Sequence, residues 1–174
     1  LYVAGAYIWV ENSPAYNVVD VDLFDLIEED ITFYESKGKV LLCGDFNARV
    51  GNGSKLDYID CDSSVDYIDY DDYMPDVPVK RTSQDTVCNS HGRRLLDLCK
   101  SSGFRLANGR LYDDNEIGAF TFVNNNGCSV INYLILHNDD FDILKMFSIE
   151  PFNEWSDHAP LSFKIFCNIE KYFF

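Results

Sequence analysis

Apolar and polar positions change rhythm several times along the chain. Residues 1–10 (Leu-Tyr-Val-Ala-Gly-Ala-Tyr-Ile-Trp-Val) alternate well enough for a buried strand, which Asn12-Ser13-Pro14 ends. Over 18–36, apolar residues recur at Val21, Phe24, Ile27, Ile31 and Tyr34, the spacing of a helix with one buried stripe. Asp20, Asp22 and Asp25 favour its N-terminal end electrostatically, and Gly38 suits its C-terminal end. Residues 39–43 (Lys-Val-Leu-Leu-Cys) predict a short strand running into Gly44-Asp45-Phe46-Asn47. Further on, Ser90 is placed to cap a helix with Leu95, Leu96, Leu98 and Cys99 facing inward and Gly103 at its end. Short strands are predicted at 104–108, 119–123, 129–136, 146–151 and 161–168. Asn124-Asn125-Asn126-Gly127 joins the second and third of these as a hairpin, because Asn-Gly accepts positive φ. Alternating strand and helix followed by a run of strands predicts a layered α/β sandwich.

Residues 57–79 break the rhythm. They hold eight aspartates mixed with tyrosine, no basic residue and no steady period, so they predict a solvated acidic surface loop within a single domain spanning 1–174. A Ca²⁺ loop is a poor fit, since the Gly and closing Glu of an EF-hand are missing. The segment supplies much of the net charge of −15, yet the rest of the chain is acidic too, which weakens non-specific binding to nucleic acid. No apolar run approaches the ~20 residues of a membrane span, so no membrane partner is expected. Six cysteines (43, 61, 88, 99, 128 and 167) form no Cys-x-x-Cys pair and have no histidine at zinc spacing, which points to a reducing, intracellular setting. The chain opens in mid-strand without a methionine, as a piece of a longer protein would.

Two clusters carry chemistry. In Gly44-Asp45-Phe46-Asn47, a carboxylate and an amide two residues apart at a strand end can point into one cleft, the acid to handle a proton or cation and the amide to orient a phosphate or water. An ordinary Asx turn would have the same sequence. In Ser156-Asp157-His158, an acid adjoins an imidazole that can stabilise or protonate a phosphoryl oxygen, although an Asp-His pair is also common in surface loops. His91, beside Arg93 and Arg94, reads as part of a solvated helix face.

Taken together and in this order, Gly44-Asp45-Phe46-Asn47 and Ser156-Asp157-His158-Ala159-Pro160-Leu161 resemble the two signature motifs of the endonuclease/exonuclease/phosphatase superfamily. Between them, Arg81-Thr82-Ser83-Gln84-Asp85, Asn89 with the 92–99 run, Asn108-Gly109-Arg110, Gly118-Ala119-Phe120-Thr121-Phe122 and Ser129-Val130-Ile131-Asn132-Tyr133 resemble the endonuclease domain of non-LTR retrotransposons. The resemblance covers nearly the whole chain. It implies a four-layer α/β sandwich, deoxyribonuclease-like and lacking its N-terminal part, with the site where strand ends of both sheets meet. It also implies hydrolysis of DNA phosphodiesters with Mg²⁺, or Mn²⁺ in its place. Tyr7 would contact the scissile phosphate, Asp45 with Asn47 would activate water, Asp157 and Asp45 would serve the metal, and His158 would stabilise the phosphoryl oxygens. Arg81, Asn89, Asn108 and Thr121 would belong to the substrate-binding surface. The implied partners are DNA and a reverse transcriptase domain of the same polyprotein, and the implied place of action is the nucleus.

Two departures from the pattern stand out. The metal-binding Glu of the superfamily lies in the part that has no counterpart here, and Glu11 is wrongly placed to replace it. Asn132 stands where the pattern has an Asp that pairs with the motif histidine. These departures favour, as an alternative, a catalytically inactive retrotransposon-derived remnant. The two signature motifs alone would also suit a phosphatase or phospholipase of the same superfamily.

Overall fold

A computed structural model describes residues 1–18, 21–52, 57–58 and 79–166. Most of the predicted acidic loop at 57–79 lies outside the described residues, as do Cys61, Cys167 and the end of the last predicted strand.

The central sheet has the order β1–β2–β6–β3, formed by β1 (Tyr2–Tyr7), β2 (Val40–Asp45), β6 (Asn132–His137) and β3 (Phe104–Leu106). β1 runs parallel to β2, and β6 runs antiparallel to both β2 and β3. The apolar runs of β2 and β6 follow from burial on both faces. Val40, Leu42, Tyr133 and Ile135 turn to one core, while Leu41, Leu134 and Leu136 turn to the other. The first core lies against α1 (Leu23–Glu35) and α2 (Ser90–Ser102), through Phe24, Ile31, Leu95, Leu98 and Cys99. The second lies against a two-stranded sheet of β7 (Leu144–Ile149) and β8 (Leu161–Ile165), through Leu144, Phe147 and their neighbours. Helices, sheet and second sheet are therefore stacked as layers of an α/β sandwich. Among the described residues β1 has no strand on its outer side, and Tyr2, Val3 and Tyr7 are exposed there.

Several boundaries differ from those expected. α1 begins at Leu23, where Asp22 caps it by accepting the Phe24 amide at 2.8 Å. The cap of α2 is Asn89, whose Oδ1 accepts the Gly92 amide at 2.7 Å; the Ser90 hydroxyl goes instead to Glu11. Gly103 ends α2 at φ +73°, as its position suggested. The run at 129–136 divides into β5 (Gly127–Ser129), paired with β4 (Phe122–Asn124) as a hairpin, and β6. It divides because the Val130, Ile131 and Asn132 amides turn to Asp85 and to the Thr121 hydroxyl rather than to a strand. A 3₁₀ turn at Asn138–Ile143, unmarked by any period, leads into β7. His91 is not on a solvated face: its ring lies edge-on to Phe24 and Tyr16.

Asp57 corrects the reading of the acidic segment. It is buried, not solvated, and takes a bidentate ion pair from Arg110 with both contacts at 2.8 Å. Burial alone would push its carboxyl up, but the Arg110 hydrogen bond and charge outweigh that and hold it below the usual range. Among the described residues the cysteines at 43, 88, 99 and 128 are free thiols, and no helix is long and apolar enough to cross a membrane.

Candidate active site

Strand register assembles the site. Tyr7 ends β1, Asp45 ends β2 and Asn132 opens β6; parallel pairing sets Tyr7 beside Asp45, and antiparallel pairing sets Asp45 beside Asn132. Three polar residues distant in sequence thus stand level at one end of the sheet. Gly44 permits this closeness. Its φ is +149°, and a Cβ there would come within 2.0 Å of the Ala6 carbonyl oxygen on β1.

After Asp45 the chain turns sharply at Asn47, which holds φ +46°, a region that Asn enters more readily than most residues. The turn is an Asx turn and a site feature at once. Asp45 Oδ1 accepts the Asn47 amide at 2.9 Å, while Asn47 Nδ2 donates to the Ile8 carbonyl at 2.7 Å. His158 reaches the same place from another segment. Residues 157–159 pair with 121–123 (Val123 N to Asp157 O and Ala159 N to Thr121 O, both 2.9 Å), which fixes His158 opposite Phe122. The two rings lie 4.8 Å apart, and His158 Nδ1 is 3.0 Å from Asn132 Oδ1.

A cleft of about 490 Å³ opens over these groups, lined by Tyr7, Glu11, Asp45, Asn47, Arg49 and His158 together with Asn89 and Phe122. Tyr7 is 64% exposed and free to meet a ligand. Burial pushes the Asp45 carboxyl above the usual carboxylate range, against the pull of the Asn47 amide and the nearby His158. A raised carboxyl is a better proton acceptor, and it also carries a stability cost. Because folding disfavours the charged form, Asp45 contributes most stability below its ordinary value of 3.8 and loses it as pH rises through the raised one. Asp45→Asn is therefore expected to melt higher than the parent at pH 7 and no higher at pH 3, by paired thermal melts. A lower melting temperature at pH 7 would contradict the assigned burial cost.

Most of the remaining predicted residues fall elsewhere. Asp157 has a side chain 58% exposed and does not line the cleft. Asn108 and Thr121 are fully buried and hold the Asn132 segment: Thr121 Oγ1 accepts the Ile131 and Asn132 amides at 2.9 and 3.0 Å, and Asn108 Nδ2 donates to the Asn132 carbonyl at 3.1 Å. Arg81 is buried, with Nη2 on the Gly51 carbonyl at 2.7 Å. Asn89 does line the cleft, where it caps α2 and donates to the Asn47 carbonyl at 3.1 Å. Glu11 and Arg49 are the charged lining residues that the motifs passed over. The first was set aside as a ligand substitute, and the second lies two positions beyond Asn47.

A Mg²⁺ or Mn²⁺ ion takes several oxygen ligands in octahedral array. Asp45 offers one carboxylate to the cleft. Glu11 is the other, but its Oε1 already accepts the Ser90 hydroxyl and the His91 amide at 2.5 and 3.0 Å. Among the described residues no group of three His, Cys, Asp or Glu is placed to hold a metal ion. The residues present do not fit such an ion on their own, and the steps derived below use the chain's own side chains.

No family model matches the sequence, and no curated protein matches it either. Solved structures do match. The endonuclease domain of TRAS1, a telomere-specific non-LTR retrotransposon, aligns over 92% of this chain and 55% of its own length with a TM-score of 0.51 at 15% identity. The 3'-5' exonuclease NExo from Neisseria meningitidis aligns over 92% of this chain and 59% of its own, with a TM-score of 0.54 at 17% identity. The 3' phosphatase NExo from Neisseria, bound to a product DNA hairpin, gives 0.52 at 16% identity over 90% and 56%. This chain therefore has the α/β sandwich fold of these nucleases and spans just over half of their length.

Proposed function

We propose that the cleft at Asp45 is a phosphodiester-hydrolysing site of the kind used by retrotransposon endonucleases to nick DNA. The observation that carries the reading is the convergence of Tyr7, Asp45, Asn47 and His158 on one cleft from three separated segments. Nucleases that share the fold support it. Water attacks phosphorus in line with the departing oxygen, and its proton passes to the Asp45 carboxylate as the new P–O bond forms. The opposite P–O bond breaks, and the leaving oxygen takes a proton from His158 Nε2. Tyr7 orients the phosphoryl oxygens, and Asn47 holds the Asp45 carboxylate through its amide at 2.9 Å and its Nδ2 at 3.4 Å.

The weak point is the His158 proton. With Asn132 Oδ1 accepting from Nδ1–H, Nε2 carries a proton only when the ring is an imidazolium; with the amide turned, Nε2–H belongs to the neutral ring. Neither arrangement gives Nδ1 a carboxylate partner to balance a positive ring; Asp157 Oδ1 stands 3.9 Å from Nε2, the atom that would donate. This amide and the short metal-donor set favour a second reading, a retrotransposon-derived copy that keeps the cleft and has lost turnover.

The test is end-labelled duplex DNA incubated with the chain, with and without added Mg²⁺ or Mn²⁺, beside a DNA end bearing a 3'-phosphate. Internal cuts support the endonuclease reading. Release of inorganic phosphate alone would move the assignment to a phosphatase, and no product from folded protein would establish the inactive copy.

A further inference from the structure

Arg49 is the single Lys or Arg among the described residues lining the cleft. Its guanidinium is half committed. Nε and Nη2 donate to Asp85 Oδ2 and Oδ1 at 2.8 and 2.7 Å, whereas Nη1 has no partner among the described residues. Asp85 itself is 1% exposed at the side chain and is anchored by the Val87 and Val130 amides at 3.0 and 3.1 Å; the Arg49 side chain is 32% exposed. Its backbone is held as firmly. The Arg49 amide donates to Asn89 Oδ1 at 2.8 Å and its carbonyl accepts the Asn89 amide at 3.0 Å. A Cβ at Gly92 would come within 1.8 Å of that carbonyl, so α2 can seat here only with glycine at that position.

The plain role of this arrangement is to tie the turn after β2 to the 83–87 segment. An ion pair for that purpose uses one edge of the fork and has no need of a cleft. The other edge, left open on the wall of an otherwise acidic cleft, is pre-organised for a planar or tetrahedral oxyanion.

We propose that Arg49 is the phosphate clamp of the cleft, binding through its open Nη1 edge a backbone phosphate other than the one hydrolysed at Asp45. The substrate is then a polynucleotide strand that extends beyond the reacting phosphate, and a lone phosphate ester is a poor ligand. This rests on the phosphodiester reading given above. It also explains how a chain of net charge −15 can engage nucleic acid: one fixed cation positions the strand in a cleft whose described lining holds no other Lys or Arg.

The experiment is fluorescence-anisotropy titration of a labelled 12-nucleotide strand and its duplex, in an Asp45→Asn background that prevents turnover. Arg49→Gln should weaken binding about 10-fold for every sequence, and the slope of log affinity against log salt should fall by about 0.7 on the single strand and about 0.9 on the duplex. Arg49→Lys should restore the slope and only part of the affinity, since an ammonium lacks the fork. Should Arg49→Gln fail to fold with Asp85 unpaired, the Arg49→Gln, Asp85→Asn pair removes both charges together and should show the same loss. Unchanged affinity and slope in these variants, or no binding of either oligonucleotide by the folded parent, overturns the clamp. Cleavage of the same labelled 12-nucleotide duplex by the chain with Asp45 and Arg49 intact reports separately on the phosphodiester reading. Its absence beside Arg49-dependent binding would defeat that reading and leave the clamp standing.

Discussion

Asn132→Asp is expected to raise turnover of DNA by about 100-fold or more. The position is already built for an acid. Register places residue 132 beside Asp45, two buried hydrogen-bonding side chains fix its backbone, and its Oδ1 meets His158 Nδ1 at 3.0 Å. What the amide lacks is charge. As His158 gives up or holds a proton, the ring alternates between neutral and positive, and only a carboxylate stabilises the positive form. The opposite swap in a serine-protease triad, Asp to Asn beside the catalytic histidine, leaves geometry intact and costs about 10⁴ in turnover. A gain of 100-fold is a modest share of that, because the reacting group here is phosphoryl rather than acyl. The measurement is kcat and KM on one duplex substrate for parent and variant. The gain should lie in kcat, since the change acts on a charge that develops during reaction. Equal kcat values would mean that His158 does not act as a charged donor.

Asp57→Ala is the variant expected to unfold the protein most readily. Arg110 and Asp57 are each almost completely buried, and the Asp57 carboxylate accepts both guanidinium contacts as well as the Leu106 amide at 3.0 Å. Removing one member leaves an uncompensated buried cation, at a cost of about 3–5 kcal/mol. For a chain of this size that corresponds to a fall in Tm on the order of 10 °C. The pair also sets an acid limit. Because the folded carboxyl sits below its ordinary value of 3.8, its contribution is complete above 3.8 and is lost as pH falls through the lower folded value. Urea midpoints of parent and variant should therefore differ at pH 7 and converge as the pH is lowered progressively below 3.8. A difference that persists undiminished into that range would show that packing, not the ion pair, carries the effect.

Asp57 also shows where sequence reading stops. It is the first of eight aspartates in a stretch without period, and composition alone reads all eight as solvent-facing. Its partner, Arg110, is brought to it by β3 and the turn after it, a non-local contact that no local pattern encodes. The same limit applies to Asn108 and Thr121. Both belong to motifs that resemble a nuclease surface, yet each is buried and holds the Asn132 segment from below. Asp45 and His158 were legible because each ends or precedes a strand, where a short run joins an acid to an amide or an imidazole. The helices were legible from their apolar stripes. The cap of α2 was misread by one residue, since Asn89 and Ser90 are both good caps and the choice depends on Glu11, which takes the Ser90 hydroxyl from far along the chain. Arg49 escaped notice because nothing in Gly-Asp-Phe-Asn-Ala-Arg says which side chain will line the cleft; that follows from its bond to Asp85.

The most direct measurement is nicking of supercoiled plasmid by the purified chain, with and without Mg²⁺ or Mn²⁺, beside Asp45→Ala and Asn132→Asp. The expected result is slow conversion to open circle by the parent, faster conversion by Asn132→Asp and a loss of about 100-fold or more in Asp45→Ala. Nicking that survives Asp45→Ala at the parent's rate, or its complete absence from folded Asn132→Asp, would contradict a phosphodiester-hydrolysing site at Asp45.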